Sequence, residues 1–128
     1  PVIQVRFTGF QNQRALSGYY HAADLFVLPS QYETWGLVVN EALHHGLPCM
    51  VSDQVGCAAD LIQPGRTGEI FVLNDPSGLE EAMQRILPLM GRGEVRQYCR
   101  QHIAGYTLQK AAAGIAQAYH RIHDPEAI

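Results

Sequence analysis

Hydrophobic positions along this chain alternate between two rhythms. Residues 24–28 (DLFVL) and 47–51 (LPCMV) are short continuous apolar runs, the pattern of strands buried on both faces. Residues 2–8 are β-branched and aromatic in rough alternation, and residues 68–73 (GEIFVL) form another apolar run, so both are predicted as strands. Between the runs the period lengthens to that of a helix. Residues 11–23 read as one helix. Trp35, Val38, Val39, Ala42 and Leu43 then fall at i, i+3, i+4, i+7 and i+8, an amphipathic stripe that Gly46 stops. That stripe makes Trp35 a core residue rather than a stacking platform. Residues 57–62 predict a short helix closed by Pro64-Gly65. Asp75-Pro76 is a strong helix start, with Glu80 and Glu81 suiting the dipole and Leu79, Met83, Ile86, Leu87 and Met90 as the expected buried stripe. A helix over 94–103 follows. Thr107 caps the last helix, whose face is Leu108, Ala111, Ala112, Ile115, Tyr119 and Ile122. Regular βαβαβ alternation predicts an α/β fold, a parallel Rossmann-like sheet with helices on both faces. Residues 1–123 form one domain and 124–128 a tail.

Composition narrows the function classes. A chain of 128 residues, 47% hydrophobic and 16% charged, is large enough for one real core. A net charge of −3 argues against nucleic acid as a partner. Cys49, Cys57 and Cys99 are an odd number without C-x-x-C spacing, which points to a reducing compartment, the cytoplasm, and to neither disulfides nor zinc. No apolar run reaches the roughly 18 residues needed to span a bilayer, and no signal peptide is visible. The chain opens at Pro1 in a strand-like run, so either an initiator Met was removed or the sequence is a piece of a longer one.

Candidate chemistry concentrates between positions 29 and 53. In parallel sheets ligands sit beyond the carboxyl ends of the strands, which places Ser30 to Trp35 and Ser52 to Gly56 at a mouth. Glu33 and Glu41 stand eight positions apart, one before the helix and one inside it, and no Lys or Arg occurs between Arg14 and Arg66. A helix N-terminus with free backbone N–H groups favours phosphate, and Gly36 lets a ligand approach the main chain. Glu41 lies roughly 7–8 Å along the helix axis, about the reach from a diphosphate to a ribose. Its carboxylate can accept from both vicinal ribose hydroxyls, while Glu33 can accept hydroxyls of a sugar beyond the diphosphate. A sugar nucleotide is such a ligand. Other polar clusters carry less. Adjacent His44 and His45 point about 100° apart and chelate poorly; they suit a helix end. His120 and His123, and Arg92, Arg96, Arg100 and Arg121, read as solvated helical surface, and Cys49 as a small core residue.

The run P-S-Q-Y-E-T-W-G-L-V-V-N-E-A-L-H-H-G-L-P-C-M-V-S-D closely resembles the signature of the large group 1 family of retaining GT-B glycosyltransferases, in their C-terminal, nucleotide-sugar-binding domain. The matching positions are Glu33, Gly36, Leu37, Glu41, Ala42, Gly46 and Pro48. Val5 to Phe10, Tyr20-His21-Ala22-Ala23-Asp24, Gly65-Arg66-Thr67-Gly68 and Tyr106-Thr107 extend the resemblance over nearly the whole chain. It implies that Glu33 is the catalytic-site carboxylate contacting the donor sugar, that main-chain N–H groups near Trp35, Gly36 and Leu37 hold the diphosphate, and that Glu41 binds the ribose, with Ser30 at the same mouth. Catalysis would be electrostatic, fixed dipoles stabilising the leaving diphosphate, with no metal or other cofactor.

Departures from the family pattern matter equally. The two preceding strand–helix units, with the Arg and Lys that clamp the diphosphate, are absent, as is the N-terminal acceptor domain. The chain is therefore expected to hold half of a donor site and to be inactive alone, with contact to a membrane surface arising only through a parent protein. Loss of those units would leave the edge of residues 24–28 open. Direct pairing of residues 2–8 with that edge is the expected repair; pairing of two chains through it into a homodimer, or a swap of the first strand between two chains, are the alternatives. The alternative functions are a catalytically silent Rossmann-like binding module and another GT-B enzyme such as a sugar-nucleotide epimerase or a phosphorylase.

Overall fold

The structure, a computed structural model, describes residues 3–123. Its centre is a three-stranded parallel sheet in the order β1-β2-β3. The strands are β1 (Phe26–Leu28), β2 (Cys49–Ser52) and β3 (Gly68–Phe71). Phe26 pairs with Cys49, and Cys49 with Gly68 on its other side, so β2 is central. All four β2 residues are buried. Successive strand side chains point to opposite faces, so both faces of β2 are covered, as its unbroken apolar run requires. The parallel, Rossmann-like α/β architecture expected from the alternation is the one found.

Each helix has a local reason to begin and end. α1 (Gln13–Ala22) is capped by Asn12, whose side chain accepts the Ala15 N–H. α2 (Leu37–His44) ends in a Schellman turn. The Leu47 N–H donates to the Ala42 carbonyl and the Gly46 N–H to Leu43, both at 2.9 Å, with Gly46 at φ +80°. α3 (Ala58–Leu61) is a single turn. α4 (Pro76–Ile86) starts after Asp75 with Pro in its first turn and runs into a short 3₁₀ turn, Leu87–Leu89. α5 (Gly93–Ile103) packs on α2, and α6 (Leu108–His123) begins with its Lys110 N–H on the Thr107 hydroxyl.

The core joins Val39, Ala42 and Leu43 of α2, Cys49, Met50 and Val51 of β2, Leu61, Phe71, Ala82, Ile86 and the α5 face Val95, Cys99 and Ile103. The three cysteines are free and buried among these groups. The Gly65-to-Gly68 turn has a structural task. The buried Thr67 hydroxyl donates to the Leu61 carbonyl at 2.9 Å and accepts the Gln63 N–H at 2.7 Å, leading the chain into β3.

Five expectations fail here. β1 is not buried on both faces: Phe26 and Leu28 are half-buried and Val27 is 41% exposed, since β1 is an edge strand paired on one side. Residues 3–8 form no strand: Ile3 is 88% exposed and Phe7 97%. A strand exists only with a ladder partner, and β1, three residues long and paired on one side only, offers a short edge. Val2 and the tail 124–128 lie outside the described residues. The α4 stripe is rotated: Leu79, Ala82, Ile86 and Leu89 face inward, whereas Met83 and Leu87 are exposed. α6 buries no side chain; Leu108, Ile115 and Ile122 are open to solvent. Arg96 and Arg100 are not merely solvated. Arg96 donates to the Ala23 carbonyl at 2.8 Å and Arg100 to the His45 carbonyl at 3.4 Å, tying α5 to the ends of α1 and α2.

Candidate donor-binding site

The loops after β1 and β2 are zipped together. The Glu33 N–H donates to the Gln54 carbonyl at 3.2 Å, its carbonyl accepts the Gly56 N–H at 2.8 Å, and the Trp35 carbonyl accepts the Cys57 N–H at 2.9 Å. Deeper in, the Ser52 hydroxyl donates to the Ser30 carbonyl at 2.6 Å. A Cβ on Gly56 would overlap the Thr34 carbonyl, so only glycine lets the loops approach this closely.

That zipper sets Gly36 as the N-cap of α2 at φ +100°, buried between Glu33, Val55 and Cys57. A Cβ there would meet Val55 Cγ1 at 3.1 Å and Glu33 Cγ at 3.4 Å. No side chain caps this helix; the Val39 N–H already donates to the Gly36 carbonyl at 2.9 Å, which leaves the Leu37 and Val38 N–H groups without an acceptor among the described residues. The N-terminus of α2 therefore presents uncapped amides two residues after Trp35, as the sequence pattern predicts.

Two hollows flank this point. Glu33 lines a cleft of about 520 Å³ with Asp53, Gln54, Gly56, Ala59 and Ile70. The Asp53 carboxyl is held below its usual range by the Gln54 side chain and then by the Leu73 N–H, which it accepts at 3.1 Å. Trp35 and Leu37 line a groove of about 560 Å³ with Asn40, His44, Tyr106 and Lys110. The Trp35 indole N–H donates to Asn40 Oδ1 at 2.9 Å, and its ring is half-buried against the core, as its stripe predicts.

Glu41 lies elsewhere. It lines a smaller hollow of about 190 Å³ with Gln13, Ser17, Tyr20 and His45, where Oε2 accepts the Tyr20 hydroxyl at 3.1 Å. Burial, and then the Glu41 carboxylate, push the Tyr20 phenol up to about 12. Ser30, Glu33, Trp35, Gly36 and Leu37 are thus gathered at the loop and helix start; Glu41, expected to face the same mouth as Glu33, instead faces α1, because the packing of α1 on α2 draws it to Tyr20. Sequence reasoning passed over Tyr20 as a neighbour of Glu41. The two are 21 positions apart, and only the packing of α1 on α2 joins them. Among the described residues, no three His, Cys, Asp or Glu side chains converge as a metal site, and no helix is long and apolar enough to cross a membrane.

A parallel sheet with an uncapped helix start beyond its strand ends is part of a Rossmann-like α/β domain in form. The chain belongs to the glycosyl transferases group 1 family, whose model matches residues 2–105. It is 38% identical over 94 residues to a sulfoquinovosyl transferase of Arabidopsis thaliana, covering 71% of this chain and 18% of that protein. It is 33% identical over 118 residues to D-inositol 3-phosphate glycosyltransferase 2 of Catenulispora acidiphila, covering 91% of this chain and 27% of that one. The solved structure of a sucrose-phosphate synthase from Thermosynechococcus elongatus superposes with a TM-score of 0.72 at 29% identity, over 92% of this chain and 30% of that one. The chain thus spans less than a third of the length of each.

Proposed function

We propose that this chain is the diphosphate- and sugar-facing half of the donor domain of a retaining GT-B glycosyltransferase that moves a sugar from a nucleotide-sugar donor to an acceptor. The observation that carries this reading is the start of α2: a buried glycine at φ +100°, no side-chain cap, and Glu33 locked beside it by two backbone bonds. In this reading the α2 amides and the positive end of the helix dipole take up the charge of the departing diphosphate. Glu33 accepts donor-sugar hydroxyls from its cleft, and Glu41 accepts the ribose hydroxyls. Ser30, bonded to Ser52, holds the loop that carries Glu33. The remaining donor contacts, the acceptor site and the cations that clamp the diphosphate belong to segments outside these 128 residues. The relatives named as glycosyl or sulfoquinovosyl transferases support sugar transfer as the chemistry. No metal takes part in this reading, and the reaction is placed in the cytoplasm.

Transfer assays on the complete protein test it. Glu33→Ala and Glu41→Ala should each lower kcat/KM at least tenfold without unfolding the protein, and NMR of the product should show the anomeric configuration of the donor. Both variants retaining transfer within about threefold of wild type, or an inverted product, would remove the assignment. A charge-assisted hydrogen bond is worth ~1.5–3 kcal/mol, so a smaller loss does not fit a direct contact.

A further inference from the structure

The geometry points to Tyr20 as a positioning residue for Glu41: its hydroxyl fixes the plane of the carboxylate so that both oxygens meet a vicinal diol. This inference rests on the ribose role proposed for Glu41.

Glu41 has no ion-pair partner among the described residues, and the Tyr20 hydroxyl, 3.1 Å from Oε2, is its side-chain contact with α1. A carboxylate on a half-buried helix flank still turns about its terminal torsion, which has broad wells. Two simultaneous bonds to adjacent hydroxyls need one orientation, and a single donor to Oε2 selects it. That bond leaves Oε1 and the second lone pair of Oε2 for the ligand.

Tyr20 is itself rigid. It is 6% exposed, with its ring edge-on to Phe26 of β1 at 5.9 Å and tilted against the His45 ring at 5.0 Å. His45 is pinned in turn. Nδ1 lies 2.8 Å from the Glu41 carbonyl, which makes it the protonated nitrogen, and Nε2 lies 2.9 Å from the Ser17 hydroxyl. The helix that carries Glu41 and the helix that carries its donor are thus latched at two points. A Phe would fill the same space in the core; only the hydroxyl reaches the carboxylate. A tyrosine that merely satisfies its own hydroxyl would affect stability alone, and ligand selectivity separates the two roles.

The test measures ribose selectivity in the complete protein. The probes are UDP-, ADP- and GDP-glucose and their 2′-deoxyribose counterparts, and the readout is the ratio of Kd or KM within the pair that binds. Wild type should favour the ribose form about tenfold or more. Tyr20→Phe should lower that ratio at least threefold, through KM, with kcat changed less than twofold and the melting transition intact. Glu41→Gln should bring the ratio near one. Ser17→Ala, which loosens the latch without touching the carboxylate, should leave it unchanged. If Glu41→Gln collapses the ratio and Tyr20→Phe does not, Tyr20 has no positioning role. If Ser17→Ala lowers the ratio as far as Tyr20→Phe, the latch matters rather than the hydroxyl, and the inference is again overturned. No ribose preference in wild type, or none lost in Glu41→Gln, refutes the ribose reading of Glu41 and this inference with it.

Discussion

Gly46 shows how one residue can serve two packing tasks. Its φ of +80° closes the Schellman turn of α2, and a Cβ there would stand 2.9 Å from the Arg96 carbonyl and press on the Arg100 guanidinium. The left-handed conformation alone costs a residue with a side chain ~1–2 kcal/mol, and the clash adds to it. We expect Gly46→Ala to lower unfolding free energy by about 2 kcal/mol or more in urea titration; a loss under about 0.5 kcal/mol would mean that α5 moves away freely. The cysteines make a second residue-scale case. Burial, first of all, pushes the Cys57 and Cys99 thiols up to about 11 and Cys49 well above its usual value. The folded thiols hold their protons at pH values where unfolded ones release them, near 9. Their contribution to stability is therefore complete below pH 9 and declines as pH rises towards about 11. In native protein at pH 8, a thiol reagent such as DTNB should label none of the three within minutes, and all of them in guanidinium. Rapid native labelling would show that one of these sites opens.

Among the elements, α6 stands apart. Its apolar stripe reads clearly in the sequence, and the helix forms, yet it buries no side chain, and Ile115 and Ile122 are 73% and 75% exposed. An amphipathic period states that a face needs cover, not which surface supplies it. α4 makes the same point more finely. Its period is right, but the face is set by what β3 presents, and Ala82 with Ile86 turns inward instead of Met83 with Leu87. We expect deletion of residues 108–128 to shift the melting temperature of this chain by no more than a few degrees, since a helix without buried contacts adds little to the core. A drop of more than about 10 °C, or loss of the cooperative transition, would mean that α6 is docked on the domain in solution.

On the scale of the molecule, a three-stranded sheet whose β1 is bonded on one side only has an open edge among the described residues. The proposed half of a donor site sits on the same chain, with no Lys or Arg between positions 14 and 66. We therefore expect the isolated chain to catalyse no glycosyl transfer and to bind nucleotide sugars weakly or undetectably by titration calorimetry. Two absent charge-assisted contacts at ~1.5–3 kcal/mol each weaken binding by roughly two to four powers of ten. Micromolar affinity in the isolated chain would contradict a diphosphate clamp located elsewhere.

What the sequence determined by itself was local: β2 and its burial on both faces, the start of α2 two residues after Trp35, the stop at Gly46, the Asp75-Pro76 opening of α4, and the family's motifs in order. These depend on propensities, turn chemistry and short-range hydrogen bonds that neighbours in the chain supply. The tertiary structure decided everything that needed a distant partner. Residues 3–8 have the composition of a strand and no ladder to join. Arg96 reads as a surface residue until the Ala23 carbonyl comes within 2.8 Å. Glu33 and Glu41, eight positions apart in one motif, face different hollows. The zipped loops hold one beside the uncapped start of α2, and the packing of α1 draws the other to Tyr20. Spacing places a side chain on an element, but its chemical partner is set by whichever element packs against it.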